Sequence, residues 1–79
     1  MVASVKGEQV LTHLNRGTVG HVAGFTDKQI ASKLLAMGVL PGSRIEIVRK
    51  SPLGGSIYAK VNNSFLALRK NEAACIVLR

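Results

Sequence analysis

Residues 26–42, TDKQIASKLLAMGVLPG, carry a helix together with its start, its stop and the turn that follows. Thr26 is placed to accept from the Gln29 N–H, with the Gln29 side chain returning to the Thr26 N–H as a capping box. Asp27 adds a negative charge where the helix dipole favours one. Ile30, Leu34 and Met37 recur at four- and three-residue steps, and Ala31 and Leu35 widen the stripe, so one face is apolar. Gly38 follows as the residue able to turn left-handed at the helix end, and Val39 is positioned to fold back onto Leu34. Leu40-Pro41-Gly42-Ser43 then has Pro and Gly in the order of a type II turn. One amphipathic helix over 26–38 is expected, delivered by this turn into a strand.

On either side of the helix the apolar period falls to two. Thr18 to Phe25 alternates Val19, His21, Ala23 and Phe25 against Gly20, Val22 and Gly24, and its two internal glycines predict a bend or a close backbone approach. Ser43 to Lys50 turns Ile45 and Ile47 inward and Arg44, Glu46, Val48 and Lys50 outward. Ser51-Pro52-Leu53-Gly54-Gly55 is a hairpin loop. Ser56 to Val61 buries Ile57, Ala59 and Val61 and exposes Tyr58 and Lys60. Asn62-Asn63 makes a tight turn into Ser64 to Arg69, whose SFLALR is apolar on both faces, as in a central or covered strand. Lys70 to Ala73 reads as one helical turn, and Cys75 to Leu78 as a last apolar strand. The expected fold is mainly β, with about five short antiparallel strands bent into a small barrel around one inserted helix. Ahead of it, Val10, Leu11 and Leu14 can lay one apolar side on the body.

Composition narrows the class. The chain has 79 residues, 47% of them hydrophobic, which supports one small core. Its aromatics are Phe25, Tyr58 and Phe65, so the core is aliphatic. Cys75 stands alone and forms no internal disulfide, which fits a reducing compartment. No apolar run reaches the length of a membrane span, and the opening MVASVKGEQV lacks the apolar core of a secretory signal, so a cytoplasmic protein is expected. Eleven Lys and Arg against four Asp and Glu give a net charge of +7. A basic surface of this kind suits RNA, an anionic membrane or an acidic protein.

The residues offer no catalytic constellation. His13, His21, Cys75 and the four acids show none of the paired spacings that nucleate a metal site, so no metal is expected. His21 reads as a partly buried structural histidine, and Cys75 as a core hydrophobe with a raised pKa. The carboxylates are unpaired, and no phosphate-cradling glycine loop is present, so neither catalytic residues nor a cofactor site is assigned.

The order of Leu34-Leu35-Ala36-Met37-Gly38-Val39-Leu40-Pro41-Gly42, Pro52-Leu53-Gly54-Gly55, Leu66-Ala67-Leu68-Arg69 and Glu72-Ala73 resembles the FeoA family of small ferrous iron transport proteins. Leu11, Leu14, Gly17, Gly20 and Val22 fit the same pattern upstream. The resemblance implies an SH3-like β-barrel over residues 10–79, preceded by an N-terminal extension over 1–9. It further implies a non-catalytic accessory role with FeoB, the membrane ferrous transporter that carries a GTP-binding domain, and a cytoplasmic place at the inner membrane through that partner. On this reading Lys33, Met37 and Leu40 at the helix margin, with Arg44, Arg49 and Lys50 on the next strand, are the expected partner-binding residues. The alternative is a small basic RNA-binding barrel of the ribosome-associated kind, for which Tyr58 alone is a poor stacking platform.

Overall fold

The computed structural model describes residues 9–79. Six strands form one sheet: β1 (Gln9–Val10), β2 (Val19–Phe25), β3 (Arg44–Lys50), β4 (Ser56–Val61), β5 (Ser64–Arg69) and β6 (Ile76–Leu78). Helix α1 (Lys28–Ala36) is inserted between β2 and β3, the short α2 (Lys70–Ala73) between β5 and β6, and a 3-10 turn (Leu11–His13) follows β1. The sheet order is β1-β6-β2-β3-β4-β5, antiparallel throughout. The expected extension over 1–9 lies outside the described residues except for Gln9, which pairs with Leu78.

β2 is the hub, bonded to β6 on one edge and to β3 on the other. Its glycines do what the sequence requires of them. A Cβ on Gly20 would come within 3.2 Å of the Arg79 carbonyl and 3.3 Å of Leu78 Cδ1, so β6 can lie close only because none is there. The β2–β6 register shifts between Val22 and Gly24, which bends the sheet. Leu11, Val22, Leu34, Val39, Ile45, Ile47, Leu68 and Ile76 fill the interior, and each contributes about 1.5–3 kcal/mol relative to exposure. The result is a small SH3-like barrel with a purely aliphatic centre.

The helix end forms as read. Gly38 takes φ +95°, its N–H donates to the Leu35 carbonyl at 3.0 Å, and the Val39 N–H donates to the Leu34 carbonyl at 2.9 Å. Val39 and Leu34 are both fully buried, completing a Schellman cap. The Ser43 N–H closes the next turn onto the Leu40 carbonyl at 2.9 Å. Gly42 and Ser43 then bond to Val22, tying the turn to β2.

Several expectations are corrected. The helix starts one residue later than the capping-box reading: the Thr26 N–H donates to the Cys75 carbonyl, extending the β2–β6 pairing, so it cannot serve Gln29. Asp27 is the cap, its Oδ1 accepting from the Ile30 N–H at 3.0 Å. The regular helix is Lys28–Ala36 rather than 26–38, with Met37 as C-cap. His21 is exposed, not partly buried. SFLALR is not a covered strand: β5 ends the sheet order, and Phe65 is 71% exposed. There are six strands where five were read, because the two-residue β1 is too short to show a period.

Candidate interaction surface

The outward side chains of β3, β4 and β5 stand in rows fixed by strand register. Glu46 faces Lys60, which faces Phe65; Arg49 faces Tyr58, which faces Ala67; Ser56 faces Arg69. Within the rows the Lys60 ammonium lies 5.7 Å from the Phe65 ring centre and the Arg49 guanidinium 5.8 Å from that of Tyr58, both in cation–π range. Tyr58 is 42% exposed. Glu46, the one carboxylate here, lies 3.8 Å from Arg44 in an exposed pair of little energetic weight. The three strands therefore present two open aromatic rings among Arg49, Lys60 and Arg69.

A single bulge decides which basic side chains join this surface. The β3–β4 register shifts between Ile47 and Arg49, leaving Val48 unpaired. Arg49 consequently pairs with outward-facing Tyr58, whereas Lys50 pairs with buried Ile57. Uninterrupted alternation had placed Lys50 outside. Instead its Nζ donates to the Thr12 carbonyl at 3.3 Å, in a part-buried position. There it borders a cavity of about 150 Å³ with Ser56, Ile57 and Lys70. A space of this size is small for a cofactor or metabolite.

The helix-margin residues are separate from these rows. Lys33 ion-pairs with Glu72 of α2, though its stem is 58% exposed. Met37 packs partly against the core, and Leu40 is exposed beside the turn. The structure thus keeps Arg44 and Arg49 on the strand face and gives Lys33 and Lys50 internal partners. The sequence reading turned Lys60 outward, but it missed Phe65 and Arg69 as surface residues, and also Leu53, which is 96% exposed at the tip of the β3–β4 loop. The available signal was register: two residues of turn at Asn62-Asn63 force Lys60 opposite Phe65.

Among the described residues no three His, Cys, Asp or Glu side chains converge on a point that could hold a metal. Cys75 is buried, its thiol donates to the Glu72 carbonyl at 3.2 Å, and burial pushes its pKa up, which suppresses the nucleophilic thiolate. Among the described residues no helix is long and apolar enough to cross a membrane.

Comparison with known proteins gives the same fold. A FeoA-like protein from Clostridium acetobutylicum superposes with a TM-score of 0.84 at 27% identity, covering 91% of this chain and 85% of its own. FeoA from Stenotrophomonas maltophilia, solved with zinc and described as an unusual prokaryotic SH3 domain protein, gives 0.75 at 29% identity, with 90% and 89% covered. A manganese-dependent transcriptional repressor gives 0.85, but at 20% identity and over 36% of its own length it shares the fold alone. The FeoA domain model matches residues 9–79. A match of that span, on a barrel that recurs in proteins of the same name, makes this chain a member of the FeoA family.

Proposed function

We propose that this chain is a non-catalytic accessory of ferrous iron uptake that docks on the cytosolic part of a FeoB-type transporter and modulates it. The observation that carries this reading is the family match across residues 9–79. The S. maltophilia relative is itself described as a possible activating factor of ferrous iron transport. The surface is of the right kind, since open aromatic rings beside arginine are common anchors in protein interfaces. On this reading the protein works in the cytoplasm, held at the inner membrane by its partner. A binding titration against the detergent-solubilised transporter tests it, with saturable binding at near-physiological salt expected.

RNA binding is the second reading, favoured by one observation: Phe65 joins Tyr58 as an exposed ring on a basic face. Against it, Lys60 and Arg49 already lie over those rings, on the faces a base would need for stacking. A phosphate-driven complex would lose affinity steeply with salt.

A further inference from the structure

β5 is the last strand of the sheet, and among the described residues its second edge pairs with nothing. The direction of its backbone groups follows from two residues. Val61 and Ser64 face each other across the two-residue hairpin turn, so Ser64, Leu66 and Leu68 direct their N–H and C=O groups at β4. Arg69 has the opposite parity, and its N–H donates away from β4 to Glu72 Oε1 at 2.9 Å. Phe65 and Ala67 share the parity of Arg69. Their backbone groups therefore point into the open edge, where the described residues offer them no protein partner.

Proteins normally blunt such an edge with a proline, a bulge, an inward charge or a very short strand. β5 has none of these. Its six residues run in unbroken register with β4, and Phe65 stands 71% exposed on it. An edge left flat and apolar is a template for strand addition. The side chains beside it set the chemistry of the added strand. Arg69 lies on β5 itself, with Lys60 and Arg49 in the adjoining rows, and among the described residues none of the three closes a salt bridge with a carboxylate.

We infer that β5 takes an extended acidic segment of a partner protein as an added strand, its backbone pairing with Phe65 and Ala67 and its carboxylates lying beside Arg69 and Lys60. The inference rests on the reading of this chain as a docking accessory and names the edge and the partner chemistry. A second copy is the poorer occupant, because two chains of net charge +7 would bring like charges together along the seam.

The test is an NMR titration of the full chain with a synthetic hexapeptide alternating Glu and Val, and with its Lys-Val counterpart. Saturable shifts at 65–69 and slowed exchange of the Phe65 and Ala67 amides are expected with Glu-Val alone. Ala67→Pro removes one outward N–H at an edge position where proline is tolerated, and should weaken the peptide about tenfold. Unchanged Leu66 and Leu68 amides would show that its pairing with β4 survives. Shifts centred on α1 and Leu40, or an equal response to Lys-Val, would overturn the inference. So would displacement of the peptide by oligouridine, or a concentration-dependent dimer lost in Ala67→Pro. The transporter arm is separate: peptide binding at β5 with no transporter binding by the wild type would sink the functional reading alone.

Discussion

Lys33 on α1 and Glu72 on α2 form an ion pair that joins the inserted helix to the last turn before β6. Glu72 is 3% exposed and does two jobs with two oxygens. Oε2 meets the Lys33 ammonium, while Oε1 accepts from the Arg69 N–H and caps α2. The lysine hydrogen bond, followed by that of the Arg69 N–H, holds the Glu72 carboxyl below its ordinary pKa. Because Lys33 is partly solvated, Glu72→Gln should cost only about 1–2 kcal/mol at neutral pH, read as a lowered urea midpoint.

The sign of the pH dependence follows from that lowered value. A carboxyl with a depressed folded pKa stabilises fully above its unfolded pKa and loses the contribution as pH falls through the folded one. The stability gap between wild type and Glu72→Gln should therefore hold from neutral pH down to about 5 and shrink as the pH drops further. Thermal melts of both proteins across that range check it; a gap that widens in acid would contradict the ion-pair account.

Gly20 and Gly24 sit on the same strand but should respond in opposite ways. Alanine at Gly20 meets the Arg79 carbonyl and Leu78, whereas alanine at Gly24 meets open space. Gly20→Ala is expected to lose about 1–3 kcal/mol through overpacking. Gly24→Ala should unfold within about 0.5 kcal/mol of wild type in the same denaturant series.

Arg49 and Lys50 are neighbours in sequence with different tasks. Arg49→Glu should weaken partner docking and change the melting temperature little, because the guanidinium lies over the exposed Tyr58 ring at the surface. Lys50→Ala should do the reverse, costing about 1 kcal/mol through the lost bond to the Thr12 carbonyl while sparing affinity. Affinity and melting temperature measured on both variants separate the two roles.

The parts of the fold legible in the sequence were those written locally. Gly38 with Val39, Pro41-Gly42 and Asn62-Asn63 each fix backbone within a few residues, and each formed as read; Asn62 takes φ 53°. What was hidden depends on distant partners. Thr26 loses the cap to Asp27 because Cys75, far along the chain, claims its N–H. The bulge at Val48 leaves no mark in SRIEIVRK, yet it exchanges the faces of Arg49 and Lys50. β5 looks covered because Phe65, Leu66, Ala67 and Leu68 are all apolar, and only sheet order shows that it lies at an edge. The candidate interaction surface is thus mostly a product of register, which composition does not encode.

The most direct test of the accessory role is a titration of this protein against the detergent-solubilised ferrous transporter at near-physiological salt, with structured RNA as competitor. Saturable binding that survives the RNA is the predicted result. Loss of the signal to RNA, with affinity falling steeply as salt rises, would contradict it.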